Sequence, residues 1–214
     1  MSSPIMSNES IGGGKSMDTI KLPEPDYDSK TSIEKALLER RSVRGYKKES
    51  LTLIEVSQLL WAAQGITNKR GFKTAPSAGA LFPLEVYIVV GDVNDLPEGI
   101  YQYKPHKHEL LKIADGDKRS ELCTAALGQG CIKQCAAAIV FSAVYERTTK
   151  KYGERGIRYV HMEIGHAAQN VHLQVVSLNL GTVVVGAFHD NEVKRVMNMT
   201  DKEQPLCIMP IGRR

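Results

Sequence analysis

The sequence predicts an α+β domain, and three observations carry that reading. Strand-like and helix-like stretches are mixed without a strict βαβ alternation, which argues against a doubly wound parallel sheet. Ala137 to Val144 is an unbroken apolar run of strand length, the pattern of a strand covered on both faces. Tyr159 to Leu180 carries Ile164, Ala167, Ala168, Val171, Leu173, Val175 and Leu178, so this helix is apolar over most of its circumference and should lie inside the fold.

The other elements follow from local chemistry. Thr31-Ser32-Ile33-Glu34 is a capping-box pattern, and Ile33, Leu37 and Leu38 then recur at helical spacing up to Arg40. Thr52-Leu53-Ile54-Glu55 repeats the signal, with Val56, Leu59, Leu60 and Ala63 on one face and Gly65 placed to end the helix. Gly65 to Pro83 lacks periodicity and reads as a long loop, a kind of segment that in compact domains is usually functional. Glu85 to Val90 reads as a strand, and Ile100 to Lys104 with Glu109 to Ile113 reads as a hairpin. A helix is expected from about Lys118 to Leu127, broken by Gly128 and Gly130. Thr182 to Val185 should be a short strand, Asp190 should cap a helix through Met197, and Leu206 to Ile211 should be a last strand.

At 214 residues the chain is long enough for one domain with a real core. Residues 1–30, rich in Ser, Gly, Pro and Asp, are expected to form a disordered arm, and residues 31–214 the domain. The net charge is +4, from 28 Lys and Arg against 24 Asp and Glu, interspersed over most of the length. That surplus is too small and scattered to argue for nucleic acid, but local arginine clusters suit a small anion. No apolar run is long enough to span a bilayer. Cys123, Cys131, Cys135 and Cys207 lack zinc-site spacing and a secretory context, so reduced buried thiols and a cytoplasmic address are expected. Gly12-Gly13-Gly14-Lys15-Ser16 is not a phosphate-binding loop, because Glu9 stands where that pattern needs Gly. His161, Glu163, His166 and His172 are not a metal site, because Gly165 stands where the second His of H-E-x-x-H would be.

Four segments suggest chemistry. Arg40-Arg41-Ser42-Val43-Arg44-Gly45-Tyr46 leaves the first helix; an extended chain there puts Arg40, Ser42 and Arg44 on one side, where forked guanidiniums beside a hydroxyl suit a phosphate. Alone, such a run is more often solvated charge answering the helix dipole. Pro76-Ser77-Ala78-Gly79-Ala80 is a loop of small residues that lets backbone approach a flat ligand. Val185-Gly186-Ala187-Phe188 ends a strand where an exposed N–H could meet a ring nitrogen, and Gly212-Arg213-Arg214 finishes the chain.

In this order and at these separations, the four segments resemble the FMN-dependent nitroreductase superfamily over about Ser32 to Arg214. Pro76 to Tyr87 and Gly165-His166-Ala167-Ala168-Gln169-Asn170 look closest to the SagB-type branch, which contains the azoline dehydrogenases of peptide natural-product synthesis. The resemblance implies a three-layer sandwich, a central antiparallel sheet flanked by helices, in an intertwined homodimer with two FMN sites at the interface. It implies that Arg40, Arg41, Ser42, Arg213 and Arg214 surround the FMN phosphate and ribityl chain. Arg44 would face the pyrimidine edge, Pro76, Ser77, Ala78, Gly79 and Ala80 would line ribityl and ring together with Gln129, and Gly186 and Ala187 would present N–H groups to flavin N5. NADH or NADPH is the implied reductant, with a small molecule as acceptor. Two positions depart from the pattern. Ala80 stands where many nitroaromatic-reducing relatives carry Asn, and Arg158-Tyr159 stands as the counterpart of the Lys-Tyr pair expected of azoline dehydrogenases. Arg stays protonated and cannot serve as a base. A flavin-binding protein without turnover, for storage, sensing or assembly, is the other reading.

Overall fold

The computed structural model describes residues 18–214. Seven strands form one sheet: β1 (Thr19–Lys21), β2 (Leu84–Val90), β3 (Gly99–Lys104), β4 (Glu109–Asp115), β5 (Ala137–Val144), β6 (Leu180–Thr182) and β7 (Glu203–Arg213). Their order is β1-β4-β3-β2-β5-β7-β6, and every neighbouring pair is antiparallel. The helices are α1 (Ile33–Glu39), α2 (Leu53–Gln64), α3 (Arg119–Ala125), α4 (Gly130–Gln134), α5 (Glu146–Tyr152), α6 (Arg155–Ser177) and α7 (Asp190–Val196).

Period-two alternation sorts the central strands onto two cores. Leu84, Val86, Ile88 and Val90 of β2, with Ile139 and Phe141 of β5 and Met209 of β7, pack under α2 and α6. Tyr87, Val89, Ala138, Val140 and Ile208 point the other way and meet Leu122, Ile132 and Val193 of α3, α4 and α7. The architecture is therefore the α+β sandwich that the sequence predicts. Strand β5 is apolar except for Ser142, which donates to Glu203, because both of its faces are covered.

Caps set the helix starts. Thr52 accepts from the Glu55 N–H at 3.2 Å while the Glu55 carboxylate accepts from the Thr52 N–H at 2.8 Å, closing the expected capping box of α2. On α1 the cap is Ser32, one residue later than the pattern suggested, accepting from the Lys35 N–H at 3.2 Å.

Several expectations need correction. Residues 18–30 fall in the stretch expected to be disordered, yet β1 pairs with β4 and Leu22 is buried. The chain beyond β1 is tied down by side chains of other elements: Gln58 exchanges two hydrogen bonds with the Asp26 backbone, and the Pro23 carbonyl meets Ser57 at 2.5 Å and His108 at 2.9 Å. These partners are remote in sequence, so a composition-based reading misses them. The earlier part of the arm, with the Gly12 to Ser16 run, lies outside the described residues. Helix α6 buries one stripe, Gly156, Val160, Glu163, Ala167, Val171 and Val175, and not most of its circumference; Met162 stays exposed. The strand expected at 182–185 is β6, two residues earlier, and α7 is capped at His189 without a side-chain bond from Asp190. Strand β7 runs from Glu203 to Arg213, beyond the expected 206–211 at both ends, and passes through Pro205 and Pro210; a register shift between Phe141 and Ser142 accommodates Pro205.

Residues 42–47 cross the ends of β6 and β7, and two glycines permit the approach. A Cβ on Gly181 would lie 2.7 Å from Val43 Cγ1, and one on Gly212 would lie 2.7 Å from Tyr46 Cγ. The Tyr46 ring cannot swing aside, because its hydroxyl is held by the carbonyls of Val43 (2.8 Å) and Pro210 (3.1 Å). Gly212→Ala should therefore lower unfolding free energy by about 1–3 kcal/mol through overpacking; a urea midpoint unchanged from wild type would show that the crossing is looser than these distances imply.

Candidate functional site

The basic run that leaves α1 is held by backbone pairing. The Arg40 N–H closes α1 on Ala36, the Val43 N–H donates to Thr182 at 2.9 Å, and the Lys47 N–H donates to Arg213 at 3.1 Å. Segment 40–47 and the chain's last residues thus meet at the β6–β7 edge, bringing Arg40, Arg41, Ser42, Arg213 and Arg214 into one neighbourhood.

The arginines there differ in what they already hold. Arg41 donates from Nη1 to the carbonyls of Leu38 (2.9 Å) and Arg40 (2.7 Å), answering the unpaired carbonyls at the end of α1. Arg213 forks onto both oxygens of Glu55, at 2.5 and 3.0 Å, and donates to the Ser50 carbonyl. Arg214 is half-buried, and its Nε and Nη2 are sealed from solvent with no acceptor among the described residues. A guanidinium cannot relieve such a situation by losing its proton, so the arrangement fits an anion that these nitrogens would hold. Arg44 is exposed beside Tyr46 and Cys131; its charge opposes the burial that raises the Cys131 thiol above the ordinary range.

Further along the same edge of β7, Val185 pairs with Ile208 through two backbone bonds of 2.8 and 2.9 Å, after which the chain leaves the sheet. Gly186 and Ala187 are exposed, and among the described residues neither N–H meets an acceptor. Gln129, which precedes α4, donates from Nε2 to the Ala187 carbonyl at 2.9 Å, so this pair of candidates does come together.

The Pro76–Ala80 loop lies elsewhere. Ala78–Ala80 forms a 3-10 turn in which Gly79 and Ala80 have φ of 64° and 53°, and Phe82 follows at 46°. Non-glycine residues hold that conformation only where surroundings fix it. Here the Ser77 hydroxyl accepts from the Phe82 N–H at 2.9 Å, and Lys151 and Tyr152 press on Gly79, whose Cβ would lie 2.7 Å from the Tyr152 hydroxyl. Below the loop, Glu163 of α6 is 2% exposed. Burial pushes its carboxyl up to about 7, against the opposing pull of Ser77, Lys73 and Gln64. The loop thus sits over Glu163, whereas the Arg40 charge reaches His172, nine residues and about 13 Å further along α6 at 1.5 Å per residue. A single chain does not bring the loop onto the arginine cluster.

Lys73 and the Lys151-Tyr152 pair were not identified from the sequence, which placed Glu55 only in a helix cap and Glu163 only in a rejected metal set. Beside Arg158-Tyr159, a Lys-Tyr pair stands at Lys151-Tyr152, against the small-residue loop, with the Tyr159 ring packed edge-on against Tyr152 at 5.0 Å. Tyr152 ends α5 and Tyr159 lies on α6, across the break at Gly153, so no single helical spacing in the sequence signals their contact. The four cysteines are free and buried, as expected. No group of His, Cys, Asp or Glu among the described residues could hold a metal, and no described helix is long and apolar enough to cross a membrane.

A helix-flanked antiparallel sheet with arginines gathered at one end describes a nitroreductase-type oxidoreductase. The chain belongs to the Nitroreductase family, whose profile matches residues 37–213. A Methanocaldococcus jannaschii protein named as a nitroreductase is 50% identical over 197 residues, covering 92% of this chain and 98% of its own. The Escherichia coli microcin B17-processing protein McbC is 27% identical over 143 residues, 64% of this chain and 53% of its own. A solved structure from Ralstonia eutropha, also named as a nitroreductase, superposes with a TM-score of 0.81 at 30% identity, covering 94% of this chain and 91% of that one.

Glu163 allows a test of the buried wall. The folded chain keeps its proton to about pH 7, against an ordinary 4.5. The folded state therefore binds the extra proton across that window, and stability falls as pH rises through it. Glu163→Gln should raise the thermal midpoint clearly at pH 8 and little at pH 5; an equal shift at both would mean that the group does not titrate in this range.

Proposed function

We propose that the protein is an FMN-dependent oxidoreductase acting as a homodimer, taking electrons from NADH or NADPH and passing them to a small organic acceptor. The observation that carries the reading is Arg214, a guanidinium with two sealed, unpaired nitrogens at the end of β7, the strand end that the 42–47 segment after Arg40 also reaches. Arg214, Arg40 and Ser42 would hold the FMN phosphate, as guanidinium forks suit a dianion. Arg213 acts through Glu55 to position the end of β7 rather than as a ligand.

When bound, the isoalloxazine ring supplies two-electron chemistry, accepting and giving hydride. Arg44 would stabilise negative charge at the pyrimidine edge. The free N–H groups of Gly186 and Ala187 would orient the ring from its edge, leaving a face open for donor and acceptor in turn. Residues 76–80 would come from the second copy, which accounts for their separation from the arginines within one chain. Ile33, Leu37 and Leu38 on α1 are exposed apolar side chains, as are Ile54 and Met162, and such a pairing would cover apolar groups of this kind.

Lys151 and Tyr152 favour a second reading within the same class, a SagB-type dehydrogenase of a peptide-derived substrate. Both reach the loop at Gly79. Oxidation of an azoline ring removes a hydride and a proton, and a Lys-Tyr pair is suited to take the proton. The similarity to the microcin-processing protein supports this alternative.

The purified protein should be yellow or bind FMN in a titration, and NADH or NADPH should bleach it in a stopped-flow experiment. A protein that refuses FMN overturns the reading, and one that binds FMN but stays yellow with both donors is a carrier. Arg214→Ala should weaken FMN binding at least tenfold, about 1.4 kcal/mol, with little change in thermal midpoint. Arg213→Ala should lower the midpoint instead; equal effects of the two variants on FMN affinity would contradict the division of labour.

A further inference from the structure

A cavity of about 470 Å³ opens between the 73–82 loop, the adjoining ends of β2 and β3, and the turn at 105–109. That volume lies in the range of pockets that take up small organic ligands. Leu84, Val86, Tyr103, Phe82 and Pro105 make its walls largely apolar. None of the residues that would hold the flavin lines it.

Its polar groups are unevenly satisfied. Glu85 is ion-paired with Arg147 and accepts from the Gln102 amide at 3.0 Å, and Glu109 is 3.7 Å from Lys107. The Lys104 ammonium donates to the Gln102 side chain. Four cationic side chains against two carboxylates line the cavity, a surplus of two positive charges. Neither Lys104 nor Lys73 has a carboxylate in ion-pair contact, but Lys104 is held by Gln102, whereas the Lys73 Nζ sits 4.8 Å from the centre of the Phe82 ring. Burial lowers the proton affinity of Lys73, and the more distant charges of Glu85 and Glu163 offset this only in part. Gln64 is 1% exposed, and neither its amide nitrogen nor its amide oxygen makes a hydrogen bond of good geometry, although the amide lies near enough to the Glu163 carboxyl to lower that group's proton affinity. A buried amide with neither atom bonded costs free energy unless something arrives to satisfy it.

We propose that this cavity is a binding site for a small organic carboxylate with a flat apolar body, the carboxylate accepting from Lys73 Nζ and Gln64 Nε2 and the body lying on Phe82, Val86 and Tyr103. A carboxylate satisfies the half-buried ammonium and the orphaned amide donor together, whereas a cation would face the positive surplus. The site is separate from the arginine cluster and does not depend on the flavin reading.

Calorimetric titration with 2-naphthoate, on flavin-free and FMN-loaded protein, tests this. One saturable site per chain is expected in both forms, with the neutral isostere 2-naphthalenemethanol binding at least tenfold more weakly. Lys73→Met should weaken naphthoate binding at least tenfold and Gln64→Leu several-fold, both variants being checked for a cooperative thermal transition. No binding to wild-type protein, equal binding of acid and alcohol, or affinity retained in both variants overturns the proposal. So does competition between naphthoate and FMN, which would mean that the probe reads the cofactor site.

Discussion

One carboxylate joins the parts of this molecule that matter for its site. Glu55 closes the capping box of α2 through Thr52 and takes the Arg213 fork at the end of β7. Helix start and strand end are thereby locked together over 158 residues of chain. Segment 42–47 then crosses the same strand end, pressed against Gly181 and Gly212 and held by the Tyr46 hydroxyl. A partly buried pair of this kind is costly to break, because removing either member leaves the other's charge without compensation. The basic run and the chain terminus share a neighbourhood because this lock holds the strand that both approach.

The arginines at that edge look alike in sequence but divide by what surrounds them. Arg41 answers helix carbonyls, Arg213 serves the lock, and Arg214 keeps buried nitrogens unpaired. Arg41 keeps its other nitrogens for solvent, whereas Arg214 is the member of this group whose nitrogens are both buried and without an acceptor among the described residues. The same distinction applies on the far side of the α2–α6 core, where Gln64 and Glu163 each have a buried polar atom without a partner while Glu85 and Glu109 are paired.

The small-residue loop shows how conformation and chemistry are coupled. Ala80 and Phe82 are held at positive φ, at a cost of about 1–3 kcal/mol each for a sparsely populated backbone state. The Ser77 hydroxyl and the Lys151-Tyr152 contact at Gly79 offset that cost by fixing the turn. A backbone fixed in this way can present its N–H and C=O groups without reorganising when a flat ligand arrives.

The residues alone determined the elements whose signals are local: the capping box of α2, the hairpin of β3 and β4, the doubly covered strand β5, and the class of the fold. They also carried the family, through four short segments in a fixed order. What they could not determine depends on neighbours remote in the chain. Ordering of 18–30 rests on Gln58, Ser57 and His108, the exposed face of α6 depends on what packs across it, and β7 accommodates Pro205 because its partner shifts register there. The role of each arginine, and the appearance of Lys151-Tyr152 beside the loop, were decided by tertiary structure. A side chain's charge is written in the sequence, but whether that charge is solvated, paired or buried without a partner is set by groups that only folding brings within a few ångströms.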